Sequence, residues 1–290
     1  MSETIQVALT ITAAPHQLFH ALTHSDELTQ WFVEHADVSL ATKRYDFWGR
    51  LTPGAPGPEQ GRHRLLSWEA DRSLVFAWPV RDAETSVAFT LEAQGQATRL
   101  LLVHEGVPER KAGEVSFTDF WELALENLRG WVERRTVGAR CDFSGEHTGD
   151  VHLEVEIAAP QAVVFHALIT PEELDRYFAT QAVVEPYVGG RYDFGWGDGG
   201  PVKIVELAPP DKLTYSWEYA AEPPTVVTWT LERSGGGTRL MLVHSGFGSE
   251  QLTEDYQAGW LNCLNRIKFL VEGGPTWRRP INPTIRQTIS

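Results

Sequence analysis

Residues 11–32 read ITAAPHQLFHALTHSDELTQWF, and residues 156–178 read EIAAPQAVVFHALITPEELDRYF. Both pass from an extended stretch through Ala-Ala-Pro into an apolar helix carrying Phe-His-Ala-Leu. Both then turn into an acidic helix start that ends on an aromatic pair. The echo continues along the chain. Arg44-Tyr45-Asp46-Phe47 returns as Arg191-Tyr192-Asp193-Phe194, and Trp78 as Trp217. Thr98–His104 returns as Thr238–His244, each followed by a glycine at 106 or 246. Trp121 and Trp260 open the last helix of each copy. A repeat of about 130–140 residues is one ordinary domain rather than a solenoid unit. The chain is a tandem duplication of a whole domain.

The bulk numbers suit that reading. The 290 residues, 42% hydrophobic and 22% charged, make two domains that each bury a core. A net charge of −14, with both halves acidic, offers no basic field, so neither nucleic acid nor a membrane surface is expected as a partner. The two cysteines, Cys141 and Cys263, are not at equivalent positions and form no disulfide framework or redox pair. The first residues lack the basic region and apolar core of a signal peptide, and no apolar run reaches the length of a membrane span. A cytoplasmic location is expected.

Within each copy the pattern predicts strand, two short helices, a run of about six strands and one long helix. Pro15 suits a first helical turn, where its missing N–H costs nothing, and Ser25 reads as the N-cap of the second helix. The long helices span about Ser116–Arg135 and Thr253–Glu272. Trp121, Leu125, Leu128 and Val132 share one face of the first, as do Trp260, Leu264, Ile267 and Val271 of the second. The expected organisation is a first domain over 1–137, a linker over 138–150, a second domain over 151–274 and a tail over 275–290. Trp277 and Ile281 pack the tail back.

This order, with Ala-Ala-Pro, the acidic turn ending on an aromatic pair, the Thr-Arg-Leu strand and the Trp-led final helix, resembles the START-like, helix-grip (SRPBCC) superfamily. Within it, the chain is similar to the branch of the C-terminal domain of the heat-shock protein 90 ATPase activator. The resemblance covers nearly the whole chain. It implies an α+β fold: two tandem domains, each a curved antiparallel sheet gripping a long C-terminal helix, with a cavity or an apolar core between them.

Strand alternation sorts the residues facing that space. In copy one the cavity-lining candidates are Tyr45, Phe47, Trp78, Phe89 and His104, joined by Trp121 from the helix. In copy two they are Tyr192, Phe194, Trp196, Trp217, Trp229 and His244, joined by Tyr256 and Trp260. Such aromatics either fill a core or line a pocket. His104 and His244 either orient a ligand or tether the strand end to the long helix, and their presence in both copies favours the tether. No nucleophile motif, phosphate loop or metal-ligand spacing stands out, so no catalytic residue, metal or cofactor is expected.

The expected function is non-catalytic binding of a small apolar or amphipathic molecule between sheet and helix. Two alternatives stand beside it. One is an interaction module resembling the chaperone activator, with a chaperone as partner. The other is a cyclase- or hydrolase-type enzyme using the same cavity. The two copies are also expected to pair within the chain. They part mainly in their loops: copy one carries the Pro-rich stretch Thr52–Gly61, where copy two has a compact glycine turn. Copy two also keeps the Gly189-Gly190 that the family resemblance calls for, which makes it the better candidate for a working cavity.

Overall fold

A computed structural model describes residues 2–81, 83–197, 199–219 and 222–281. The chain divides into two compact units. One holds the residues up to Glu146 together with Pro280 and Ile281; the other is His147–Arg279.

In the first unit, β1 (Ser2–Ile11) leads into α1 (Pro15–Thr23) and α2 (Ser25–Trp31). Then follow β2 (His35–Ser39), β3 (Arg44–Trp48), β4 (Arg64–Glu69), β5 (Ser73–Val80), β6 (Ala83–Gln94), β7 (Ala97–Pro108) and the long α3 (Phe117–Arg134). Among the described residues the strands form one seven-stranded antiparallel sheet in the order β1-β7-β6-β5-β4-β3-β2. The second unit repeats the plan with β8 (Val151–Ile157), α4 (Gln161–Ile169) and α5 (Pro171–Tyr177). It continues with β9 (Val183–Val184), β10 (Tyr192–Asp193), β11 (Gly199–Ala208), β12 (Lys212–Tyr219), β13 (Thr225–Ser234), β14 (Gly237–Ser245) and α6 (Glu254–Gly273). Here a five-stranded sheet, β11-β12-β13-β14-β8, is joined to the short β10-β9 pair by an isolated bridge between Arg191 and Lys203.

The duplicated residues are the ones that lock this fold. β7 and β14 alternate buried and partly exposed positions along their length, so one face of each turns to the core. At their starts Thr98 and Thr238, both fully buried, donate to the carbonyls of Ala13 and Ala159 at 2.7 and 2.8 Å. The Ala-Ala-Pro corner is thereby tied to the last strand. Tyr45 and Tyr192 donate to the carbonyls of Leu22 and Leu168 at 2.8 and 2.5 Å, fixing β3 and β10 against the first short helix. Trp121, Leu125 and Leu128 of α3 and Trp260, Leu264 and Ile267 of α6 are buried in the two cores. Val132 and Val271 lie at their margins.

Two details differ from the sequence expectation. Ser25 is the first residue of α2, with His24 at the N-cap. Its hydroxyl instead accepts the Val38 amide at 2.9 Å, because the turn between α1 and α2 is too short to leave a free cap residue. The segment after α3 is strapped to the first unit. Asn127 holds Gly138 and Ala139 through both ends of its amide, at 2.7 and 3.0 Å. Arg140 donates to the carbonyls of Thr29 and Val33 at 3.1 and 3.3 Å, and Phe143 packs on the core. Further on, Trp277 is part of the second core, and Ile281 pairs with Ala8 on the outer edge of β1 through two backbone bonds of 2.8 and 2.9 Å.

Candidate functional site

The candidate site in each unit is the aromatic slot between sheet and long helix. In the first unit Trp78 on β5 lies edge-on to Trp121 on α3 at 5.6 Å and parallel to His104 at 5.7 Å. Phe47 meets Trp78 at 5.3 Å, and Phe89 meets Trp121 at 6.0 Å. Tyr45 closes the far end on Phe76 at 4.6 Å. In the second unit Trp217 meets Trp260 at 5.2 Å and His244 at 5.3 Å. Trp229 meets Trp260 at 5.8 Å and donates its indole N–H to Tyr215 at 3.0 Å. Phe194 and Tyr192 lie 5.6 Å apart, with Tyr192 stacked on Tyr215 at 4.6 Å. The structure thus brings the residues chosen from alternation together in each unit. All are buried except Trp196 and Tyr256, which sit partly exposed at the slot's mouth.

The two histidines are fully committed. Trp121 Nε1–H donates to His104 Nδ1 at 3.0 Å. An indole nitrogen only donates, so Nδ1 is the acceptor and the ring proton sits on Nε2. That N–H points to Thr85 Oγ1 at 2.6 Å, and the Thr85 hydroxyl donates onward to the Trp78 carbonyl at 2.6 Å. His244 repeats the arrangement with Trp260 Nε1 at 3.0 Å and Thr225 Oγ1 at 2.7 Å. Burial pushes both imidazoles down to about 3, so both are neutral at physiological pH. Each ring's lone pair is already taken by an indole N–H, which leaves it no free basic site.

The mouths of the two slots differ at four matching places. In the first unit His63 stacks on Phe47 at 3.8 Å and stands against Trp78 at 5.8 Å. In the second, Trp196 holds that place against Phe194 at 5.1 Å and Trp217 at 5.9 Å. Phe32, Val107 and Phe117 of the first unit answer to Phe178, Phe247 and Tyr256 of the second. His63, Phe32, Val107 and Phe117 are buried, whereas their four counterparts are all partly exposed. Trp196 is 37% exposed where His63 is 4%.

Sequence reasoning missed His63. It follows the Pro/Gly-rich stretch Thr52–Gly61 at the start of the strand expected over 62–69, one residue before β4, and meets Phe47 only through the fold. Neither of its ring nitrogens has a hydrogen-bond partner, and burial pushes it down to about 4. At the other mouth the Tyr256 hydroxyl donates to Glu222 at 2.8 Å. Burial and then that carboxylate raise its pKa. The Trp217 Nε1–H beside that hydroxyl pulls the other way, though it falls short of a closed hydrogen bond.

Outside the slots, an open hollow of about 840 Å³ lies in the first unit between the start of α1 and the β5 and β6 strands, lined by His16, Glu69, Asp71 and Arg72 among others. At the matching place in the second unit Gln161 donates to Asp211 and to the Leu231 carbonyl, both at 2.7 Å. Among the described residues no group of three histidine, cysteine, aspartate or glutamate side chains is placed to hold a metal ion, and no helix is long and apolar enough to cross a membrane.

Two helix-grip domains in tandem, each with a tryptophan-rich core joined across sheet and helix by a Trp–His–Thr tether, define the class. The chain belongs to the family described as activator of Hsp90 ATPase homolog 1-like protein, whose model matches residues 12–133 and again 158–272. Among solved structures it is similar to a Mesorhizobium loti protein at 25% identity, over 43% of this chain and 98% of that one, with a TM-score of 0.40. It is also similar to DynU16, a putative protein in the dynemicin biosynthetic locus, at 19% identity over 92% of this chain and 98% of that one, with a TM-score of 0.36. An Hsp90 activator from Plasmodium falciparum matches at 21% identity over 45% of this chain and 99% of its own, with a TM-score of 0.38. No curated protein matches the chain closely.

Proposed function

We propose that the chain binds a small apolar or amphipathic molecule without transforming it, and that the slot of the second unit is where it does so. The observation that carries this reading is the contrast at the mouths: four residues buried in the first unit, four partly exposed in the second. An aromatic-lined slot that meets solvent through a few polar groups has the make-up of a small-molecule site. The non-catalytic part follows from His104 and His244, whose ring nitrogens are engaged in the tether. The test is titration of the whole chain with N-phenyl-1-naphthylamine, a neutral dye that fluoresces on leaving water. The expected result is saturable fluorescence and a raised melting temperature. A linear, unsaturable signal with no melting shift would sink the reading.

A second reading is supported by a different observation. Val183, Tyr187, Val188, Val202, Val205 and Tyr219 of the second unit are exposed large apolar side chains, a feature of surfaces that meet other proteins. With the family membership, it supports an interaction module acting on an Hsp90-class chaperone. Absence of both capture by such a chaperone and stimulation of its ATPase would remove that reading.

A further inference from the structure

The first unit carries, in its own chain, the shape of what the second unit's slot accepts. Phe120 of α3 sits at the mouth with its ring 5.8 Å from Trp78, 5.9 Å from Phe32, 5.8 Å from Phe117 and 5.2 Å from Trp121. Each of these has a counterpart in the second unit: Trp217, Phe178, Tyr256 and Trp260. The residue answering to Phe120, one before the helix-opening tryptophan, is Gly259. A Cβ placed there meets nothing within 4 Å. The walls of the Phe120 site are therefore kept in the second unit, with Trp196 standing against two of them, Phe178 at 5.0 Å and Trp217 at 5.9 Å, while the long helix supplies no ring of its own there. An independent observation points to the same place. Trp217, buried at 6% exposure, has an indole N–H that lies beside the Tyr256 hydroxyl without closing a hydrogen bond to it, and a buried donor left short of its bond is a gain for a ligand that brings a better-placed acceptor.

On the ligand-binding reading above, we infer that the slot takes a neutral molecule bearing a phenyl-type ring and a hydrogen-bond acceptor. The ring takes the place beside Gly259 that Phe120 fills in the first unit, and the acceptor takes the Trp217 N–H. Edge-to-face contacts with the surrounding rings favour an aromatic over a saturated ring of equal size. The Glu222 carboxylate held by Tyr256 at the mouth disfavours an anionic ligand.

The test uses the full chain and four small probes: acetophenone, ethylbenzene, cyclohexyl methyl ketone and benzoate. Binding is read from the indole N–H signals in proton–nitrogen correlation spectra. Acetophenone is expected to move the Trp217 and Trp260 signals saturably, binding about fivefold tighter than cyclohexyl methyl ketone and well ahead of benzoate. Trp217→Phe is expected to weaken acetophenone about tenfold while leaving ethylbenzene unchanged. Gly259→Phe supplies the missing ring from within and is expected to abolish binding of every probe, with the helix intact by circular dichroism. Should that variant fail to fold, Gly259→Leu blocks the same space. Acetophenone binding that survives both blocking variants, or that does not exceed the saturated ketone, overturns the inference while leaving the ligand-binding reading in place. If neither the probes nor the naphthylamine dye binds the wild-type chain, both fall together.

Discussion

The two slot mouths are built on the same four walls and finished differently. In the first unit Phe120 fills the gap between the rings, His63 lies flat on Phe47, and Phe143 comes in from the strap after α3 to stand 6.0 Å from Phe120. In the second unit glycine replaces that phenylalanine, a half-exposed tryptophan replaces the histidine, and the strands bordering the mouth shrink to the two-residue pairs of β9 and β10. Deeper in, the units converge: the same Trp–His–Thr tether, with corresponding bonds alike to within 0.1 Å. A duplicated fold must keep what joins its sheet to its helix. It is free to vary what closes the open end, because few contacts depend on that end.

The strongest way to break this comparison is to exchange the finishing residues. Phe120→Gly removes a buried ring and puts glycine inside a helix, and is expected to cost the first unit about 4–6 kcal/mol. Gly259→Ala meets open space in a helix and is expected to stabilise the second unit by about 1 kcal/mol. Urea unfolding can follow each unit through its own buried cysteine, Cys141 or Cys263. Burial raises the pKa of both thiols, that of Cys141 to about 12, so each should react with a thiol reagent only when its unit opens. Equal destabilisation of both units by Phe120→Gly would contradict the assignment of that ring to the first mouth.

Acid should separate the units next. A histidine whose folded pKa lies below its unfolded 6.5 binds more protons when unfolded. Its contribution is complete above pH 6.5 and is lost as pH falls toward the folded value. His63 near 4 and His104 near 3 act on the first unit, and His244 near 3 on the second. Between pH 7 and pH 5 each histidine removes about 2 kcal/mol, so the first unit should lose about 2 kcal/mol more than the second. His63→Phe should bring the two pH dependences together; a difference that survives it would assign the acid sensitivity elsewhere.

A smaller effect sharpens the common part. Thr85→Val and Thr225→Val each leave a buried imidazole N–H without its acceptor, at a cost of about 1–3 kcal/mol, and the two losses should match. A mismatch measured by denaturant midpoint would mean that the tethers are not equivalent. Smallest of all, breaking the exposed Arg64–Glu84 pair by Arg64→Ala should leave both transitions where they were.

Much of this is legible in the order of residues alone. Alternation along Thr98–His104 and Thr238–His244 places the leucines and histidines on one face, and spacing places Trp121 and Trp260 over them, because strand and helix periods are local properties of the chain. The loop difference at Thr52–Gly61 is visible there too, but its consequence is not. That His63 lies on Phe47, sixteen positions away, depends on how the loop returns. The strap after α3 reads as a linker because it has no periodicity. What holds it is one asparagine amide, one arginine and a phenylalanine, each meeting a partner far away in sequence. The pairing of Phe120 with Gly259 is present in the two copies, yet a glycine in a helix reads only as a weak position until the walls around it are seen.

The amino-acid sequence by itself determined that a helix-grip domain occurs twice, which strand faces turn inward and where the long helices lie, since repetition and periodicity are carried by neighbours along the chain. Only the tertiary structure decided that the histidines are neutral tethers, that Phe120 fills one mouth where Gly259 meets open space in the other, and that the Trp217 N–H beside Tyr256 closes no hydrogen bond. Each of these rests on atoms brought together from distant segments, where burial and hydrogen-bond partners are set by packing rather than by sequence order.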